Sequence, residues 1–161
     1  MLGHLGFSYV GLIYLLMLFI PNIVWSRSRT ADSVNIRENR LLLMFERIGQ
    51  AFCTCSVLIF SDYNIAPPSK WGLWLAVSFL LMLLYELCWV RYFINEHTEK
   101  NFYRSFLGIP MPLASLPVAA FLLLGIYGRV IWLIISSVIL GIGHIGIHIQ
   151  HSNALKKAQA D

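Results

Sequence analysis

Five apolar runs, each close to the length needed to cross a lipid bilayer, constrain the fold of this chain more than any other feature. They cover about residues 5–25, 41–60, 71–93, 107–127 and 129–151. A transmembrane helix needs about 20 mainly apolar residues. Because lipid offers the backbone no hydrogen-bond partners, each run is predicted to form a helix. The sequence therefore predicts an all-α, polytopic integral membrane protein, a single domain over residues 1–161 folded as a bundle of five transmembrane helices.

The composition supports the same fold class. Of the 161 residues, 58% are hydrophobic and 12% are charged, which is about half the charged fraction of a typical soluble domain. A net charge of +4 raises the question of a nucleic-acid partner, but the sequence has no nucleic-acid-binding motif and no basic helix outside its loops. We therefore expect the lipid bilayer, and no nucleic acid, as the partner of this chain.

The distribution of Lys and Arg predicts the orientation, since cytoplasmic loops of membrane proteins are enriched in these residues. With the N-terminus outside, the outer side carries only Lys70 and Arg129. The cytoplasmic side then carries Arg27, Arg29, Arg37, Arg40, Arg91, Lys100, Arg104, Lys156 and Lys157. The sequence thus predicts a multi-pass protein of the cell membrane, with its N-terminus outside and its C-terminus in the cytoplasm.

A stripe of small and polar residues distinguishes the fifth run. At about 100° per residue, five residues fall within about 40° of one line along the helix: Ser137, Gly141, His144, His148 and His151. Imidazoles that faced lipid would lack hydrogen-bond partners, so the stripe is predicted to face protein or water as the wall of a site. Its small residues permit a close helix contact, and Gly143 and Gly146 are expected to serve a second neighbour.

In the predicted topology, polar residues of the other runs reach the same cytoplasmic half. Asn22 lies near the inner end of the first run, Glu46 and Gln50 share a face of the second, and Glu86 lies near the inner end of the third. Burying an ionisable group in a span costs roughly 3 kcal/mol, so such a residue is a functional candidate by default. The predicted site comprises Asn22, Glu46, Gln50, Glu86, His144, His148 and His151.

The histidines admit three interpretations. His144 and His148 are four residues apart, so both could bind one divalent metal ion, with Glu46 or Glu86 completing the shell. The H-E-x-x-H signature of metalloproteases is absent, and a metal is the least favoured of the three. Because histidine changes its charge near neutral pH, a proton relay or a ligand-binding role is the second. In the third, the imidazoles are structural and form hydrogen bonds across helices. Glu46 has its own structural alternative, an ion pair with Arg47.

Prolines predict how the fourth helix begins. Proline suits the first helical turn, so regular helix is expected from near Pro112, with irregular backbone over residues 108–111. The free N–H groups of a helix that starts inside the inner leaflet favour an anion, which Arg91 and Arg104 could assist in binding.

These features favour a component that binds or transports a small solute or a lipid. One alternative is a membrane-embedded enzyme that acts on a lipid or hydrophobic substrate at the inner interface, although the sequence has no Ser or Cys nucleophile motif and no phosphate loop. Another is a non-catalytic accessory subunit. Five helices without an internal repeat are few for an alternating-access transporter, so a homo-oligomer or a partner membrane subunit is expected.

Overall fold

Helices form nearly all the regular structure in the computed structural model, which describes residues 2–28, 38–95 and 98–158. The helices are α1 (Tyr9–Ser28), α2 (Arg40–Ile59), α3 (Gly72–Ile94), α4 (Glu99–Phe102), α5 (Pro112–Gly128) and α6 (Ile131–Ala158). A 3-10 turn at Ser61–Tyr63 follows α2. The described ranges contain no strand, and two isolated bridges pair Leu5 with Phe60 and Phe106 with Ile109. The predicted all-α class is confirmed.

Four helices, α1, α2, α3 and α6, are long and apolar enough to cross a membrane. Their bounds follow four of the predicted runs, with two differences. Helix α1 begins at Tyr9 rather than near residue 5, because residues 4–8 pair with the end of α2 instead. Helix α6 continues to Ala158, beyond the predicted end at residue 151, since its last turns contain good helix formers such as Ala154 and Leu155.

The fourth run differs more. Helix α5 has 17 residues and begins at Pro112, not at residue 107. The preceding backbone has positive φ at Leu107 (50°), Gly108 (79°) and Met111 (46°), a conformation that a right-handed helix excludes. The expected start near Pro112 and the irregular backbone before it are confirmed. The helical part of this run is therefore shorter than the apolar run itself.

The five long helices run in alternating directions between two ends of the bundle. We name these the Asn64 end (residues 2–8, 60–71 and 129–130) and the His148 end (residues 38–39, 98–111 and 144–158). At the first, the Arg129 guanidinium lies 4.1 Å from the Trp71 ring. At the second, the ring centroids of Trp25 and Phe102 are 5.2 Å apart. Helices α1, α3 and α6 run from the Asn64 end to the His148 end, and α2 and α5 run back.

The most extensive helix contact joins α2 and α6, followed by those of α5 with α3 and with α6. Glycine makes the α2–α6 contact close. A Cβ atom at Gly143 would overlap the backbone nitrogen of Glu46, and one at Gly49 would overlap that of Leu140. The tightest approach is therefore made by Gly143, whereas Gly141 faces Val118 of α5. Small residues in α6 serve two neighbours, as the sequence predicts.

Hydroxyl groups link three helices inside the bundle. The Tyr14 hydroxyl of α1 lies 3.0 Å from Ser78 Oγ of α3, which in turn donates to the carbonyl of Ala120 in α5 (2.7 Å). Both side chains are buried. Each polar atom thus has a partner, as burial requires, and the three helices are held at a fixed depth relative to one another.

Hydrogen bonds from one side chain close the Asn64 end. The Asn64 carboxamide accepts from the backbone N–H groups of Tyr9 (2.9 Å) and Val10 (3.5 Å) and donates to the carbonyl of Phe7 (3.0 Å). The Tyr127 hydroxyl donates to the Asn64 carbonyl (3.0 Å). Asn64 therefore caps the first turn of α1 from a distant part of the sequence.

An aspartate fixes the segment that precedes α1. The Asp62 carboxylate accepts from the backbone N–H of His4 (2.6 Å) and lies 2.8 Å from its Nδ1. Burial alone raises the pKa of the Asp62 carboxyl, but the hydrogen bonds with His4 outweigh it and bring the net pKa below the ordinary 3.8. The backbone of Ser61 also donates to the His4 carbonyl (3.1 Å). The N-terminal segment is thus tied to the loop after α2.

Candidate functional site

The centre of the site is a hydrogen bond between α2 and α6. Glu46 Oε1 lies 2.6 Å from His144 Nδ1, and the side chains are 25% and 28% exposed. Gly143, the neighbour of His144, lets the two backbones approach closely enough for this contact. Glu46 therefore pairs with His144, while the adjacent Arg47 points to the exposed surface. The alternative interpretation, an ion pair between Glu46 and Arg47, is not observed among the described residues.

A second pair of the same kind lies two helical turns away. Glu38 Oε1 is 3.1 Å from His151 Nε2. Nearby, the Gln150 side chain accepts from the backbone N–H of Asn39 (3.3 Å), the residue whose own side chain caps α2. In antiparallel helices, a residue two turns before one member of a contact faces a residue two turns after the other member. A carboxylate seven or eight residues before Glu46 is therefore expected to face His151. Glu38 fits this pattern, although it is not among the site residues predicted from the sequence.

His148 lies between these pairs and is held by aromatic rings. Its ring stacks on Phe102, with centroids 5.7 Å apart and an interplanar angle of 21°. The Tyr103 centroid lies 5.8 Å away, and that of His144 lies 4.5 Å away in an edge-on arrangement. His148 Nδ1 is buried and has no hydrogen-bond partner among the described residues. It differs in this respect from His144 and His151.

Helix α4 inserts Phe102 into the His148 end. Phe102 is only 8% exposed and lies against Trp25 of α1 and Trp89 of α3, with centroids 5.2 Å and 5.9 Å away. Its other face meets His148. The segment between α3 and α5, a polar loop in the sequence, therefore folds back and covers His148 with an aromatic cluster.

Arg91 holds the rest of this segment in place. Its guanidinium donates to the carbonyls of Arg104 (2.9 Å) and Ser105 (3.2 Å) and lies 5.1 Å from the centroid of the Phe106 ring. A two-residue turn follows, in which Phe106 and Ile109 exchange backbone hydrogen bonds of 2.9 and 3.2 Å. Arg91 thus serves the backbone of the loop. The hypothesis that it assists an anion at the start of α5 gains no support.

Asn22 and Glu86 lie apart from the histidines. The Asn22 amide donates to the Tyr85 hydroxyl and to the Leu18 carbonyl, both at 2.7 Å, and so links α1 to α3. Glu86 is half-buried, its Oε1 has no hydrogen-bond partner in the described ranges, and no bond or ion pair joins it to a histidine. The structure therefore brings together Glu46, His144, His148 and His151 but not these two.

Gln50 lies one turn from Glu46 and lines a cleft. Helices α1 and α2 touch at Gly11, where a Cβ would overlap the Val57 carbonyl. Further along, a shallow, partly open cleft with an enclosed volume of only about 10 Å³ separates them, lined by Leu15, Leu18, Gln50, Cys53, Thr54, Phe121 and Leu140. Leu140 is one turn from His144, as Gln50 is from Glu46. The cleft is thus mainly apolar and lies beside the Glu46–His144 pair.

The predicted metal site at His144 and His148 is not completed by a third residue. Across residues 2–28, 38–95 and 98–158, no three His, Cys, Asp or Glu side chains are grouped closely enough to hold a metal ion. A structural or catalytic zinc site needs at least three protein ligands. The arrangement instead suits hydrogen bonding and proton exchange between carboxylate and imidazole.

Comparisons with known proteins add no family to this description. No protein-family model, no curated protein and no solved structure matches the chain. The structure has four helices that are apolar enough to cross a membrane. It also groups two carboxylates and three histidines at one end of the bundle.

Proposed function

We propose that this chain is a multi-pass protein of the cell membrane that binds a small amphiphilic molecule, a lipid or a solute with an apolar part, beside Glu46 and His144. Four helices have the length and hydropathy of spans. We take α5 as a fifth crossing, since 17 residues rise about 26 Å, close to the thickness of the hydrocarbon core. Packed between α3 and α6, it needs little contact with lipid.

The charges at the two ends support the proposed orientation. Lys70 and Arg129 lie at the Asn64 end, and the His148 end carries Arg27, Arg40, Arg91, Arg104, Lys156 and Lys157. Arg29 and Arg37 lie outside the described residues. Because positive residues mark the cytoplasmic side, we place the His148 end, and with it the proposed site, in the cytoplasmic half of the membrane.

The observation that carries the proposed function is the cleft beside the Glu46–His144 pair. Small-molecule sites are concave and mainly apolar, with a few polar groups that fix orientation. Here Leu15, Leu18 and Leu140 supply the apolar lining. Gln50 is exposed and Glu46 is partly exposed, so both are available to a polar headgroup. Ionisable groups are retained in spans chiefly where they serve such a purpose.

Native mass spectrometry of the protein, extracted in a mild detergent, tests this proposal. We expect the wild-type protein to retain an amphiphile in stoichiometric amount and the Leu18→Trp variant, which fills the cleft, to lose it. The matched control is Leu80→Trp, on the exposed face of α3, which should retain it. Equal retention by both variants, or none in the wild type, would contradict the proposal and favour an accessory subunit.

The same spectra report the oligomeric state. We propose that the protein works as a homo-oligomer or with a partner membrane subunit, because one bundle of this size offers only a shallow site between α1 and α2. A monomer that retains the amphiphile would remove this part of the proposal and leave the binding site intact.

A membrane enzyme that acts on a lipid at the inner interface is the second candidate, favoured by the hydrogen bond between His144 and Glu46. A histidine oriented by a carboxylate is the usual arrangement of a general base. The two candidate functions are distinguished by whether the bound molecule is chemically converted. An enzyme would convert added lipid into a product of different mass, and the Glu46→Gln variant would stop that conversion.

A further inference from the structure

Five ionisable side chains follow one another where α2 and the residues just before it meet α6. We name them the histidine seam: Glu38, His151, His148, His144 and Glu46. The outer members are joined in pairs, Glu38 to His151 at 3.1 Å and Glu46 to His144 at 2.6 Å. His148 lies between the pairs, with its ring centroid 4.5 Å from that of His144. Carboxylates thus stand at both ends, with imidazoles between them.

We infer that the histidine seam is a proton-transfer path that carries protons between the surface at the His148 end and Glu46. The inference goes beyond ligand binding, and it holds whether or not the cleft takes an amphiphile. Its basis is the order of the groups. Every member can both take up and release a proton.

The transfer steps balance in protons and charge. His151 takes a proton from a hydronium ion at the surface, which leaves as water, and Glu38 stabilises the imidazolium. The proton moves through His148 to His144, each imidazole returning to its neutral form as the next one becomes charged. The His144 imidazolium then gives its Nδ1 proton to the Glu46 carboxylate along their hydrogen bond, leaving neutral His144 and a carboxylic acid. Release of the proton runs through the same groups in reverse.

His148 Nδ1, which has no hydrogen-bond partner among the described residues, supports this assignment. A buried polar atom without a hydrogen bond costs about 1–3 kcal/mol, so native proteins keep few of them without a reason. A carrier in the middle of a path needs a nitrogen that no static partner occupies. Phe102 stacks on the ring and Tyr103 packs against it at a tilt, which fixes its position and leaves Nδ1 available.

The other charged and titratable groups around the histidine seam are consistent with a proton-transfer path. Helix α2 contributes Glu46, and Glu38 lies two residues before its start, while Arg40 and Arg47 are exposed. The segment over residues 98–111 places Tyr103 beside His148. Helix α5, also packed on α6, has a single titratable side chain, Tyr127, at the opposite end. In the described ranges, Lys156 and Lys157 are the remaining charges on α6 itself.

The path ends at Glu46. The next members of the α6 stripe, Gly141 and Ser137, carry no ionisable group, and Gly141 faces Val118. Gln50, one turn further along α2, lines the cleft. A proton delivered to Glu46 therefore either returns along the seam or passes to a molecule in the cleft.

Infrared difference spectroscopy after a pH jump tests the inference on the full-length protein in lipid nanodiscs. The carboxylic-acid carbonyl band of Glu46 is identified as the band absent in the Glu46→Gln variant. After a jump from about pH 8 to about pH 4, close to the ordinary pKa of a glutamate carboxyl, the rise of this band gives the protonation rate. We expect His148→Phe, which keeps the ring and removes both nitrogens, to slow that rate about tenfold or more.

Two further variants keep the test decisive. Glu86→Gln, at a carboxylate outside the seam, should leave the Glu46 rate unchanged. His151→Gln, at the surface end of the path, should slow it and serves if His148→Phe does not fold. An unchanged rate in a folded His148→Phe or His151→Gln protein, or a Glu46 band that does not respond to pH, would overturn the inference.

Discussion

The two ends of the bundle treat their polar groups differently. At the Asn64 end, one carboxamide bonds three backbone groups, and Asp62 pairs with His4. The Tyr63 hydroxyl is the exception, buried there without a partner in the described ranges. At the His148 end, the central imidazole is packed by rings and its Nδ1 has no partner among the same residues. The first end is organised by hydrogen bonds, the second by aromatic packing around ionisable groups.

This difference indicates that the two ends have different roles, one in stability and the other in function. Hydrogen bonds that satisfy the start of α1 stabilise the fold and leave no group free to react. Buried ionisable groups with incomplete partners lower stability and are kept where a site needs them. We therefore expect substitutions at the Asn64 end to affect folding, and those in the histidine seam to affect proton transfer more than folding.

The largest effect is expected where the two helices of the seam touch. Gly143→Val places a Cβ against the backbone nitrogen of Glu46, and backbone cannot yield as a side chain can. We expect a loss of about 3 kcal/mol in the free energy of unfolding, the upper part of the range for overpacking. Denaturant titration in detergent micelles measures it.

The matched control is Gly72→Val. A Cβ at Gly72, in the first turn of α3, meets nothing within 4 Å, so the change should stay within about 0.5 kcal/mol. Similar losses in the two variants would mean that the close approach of α2 and α6 does not determine stability.

Asn64→Ala should have the next largest effect. The variant leaves the N–H groups of Tyr9 and Val10 without their acceptor, while the Ser8 cap on Gly11 remains. We expect a loss of about 2 kcal/mol, the upper value for a helix cap. Thermal unfolding monitored by circular dichroism measures it.

The control for this prediction lies at the other end. Asn95 is exposed, and the one partner of its side chain within the described ranges is the carbonyl of Arg91, four residues before it. Asn95→Ala should therefore cost less than about 1 kcal/mol. If Asn95→Ala proved as costly as Asn64→Ala, the contrast between the two ends would be lost.

His148→Phe should change stability in the opposite direction. The variant keeps a ring against Phe102 and removes a buried nitrogen that has no partner in the described ranges. We expect a gain of about 1 kcal/mol, since such an atom carries an uncompensated desolvation cost. The same unfolding experiment measures it, and a loss of similar size would show that Nδ1 makes a stabilising contact.

The smallest effect concerns the pH dependence at the Asn64 end. The pKa of Asp62 is below its ordinary 3.8 in the folded protein, so its contribution to stability is present above that value. It is lost as the pH falls through the lowered pKa. We expect the wild type to lose stability below about pH 4, and Asp62→Asn to remove that part of the loss. Unfolding midpoints measured across this pH range test it.

The sequence predicted the helices well because it carries their physical cause. Runs of about 20 apolar residues are helical for reasons internal to each run. The start of α5 was likewise predictable, since Pro112 suits a first turn and the preceding residues do not. The stripe on α6 and the face shared by Glu46 and Gln50 follow from the helical period alone.

What the sequence by itself determined is therefore which residues share a helix and a face. The tertiary structure alone decided which faces meet. It pairs Glu46 with His144 and Glu38 with His151, places Phe102 on His148, and leaves Glu86 outside the seam. The reason is that rotation and depth of each helix follow from contacts such as Gly143 on Glu46. Those contacts depend on two helices at once, so no single run of sequence contains them.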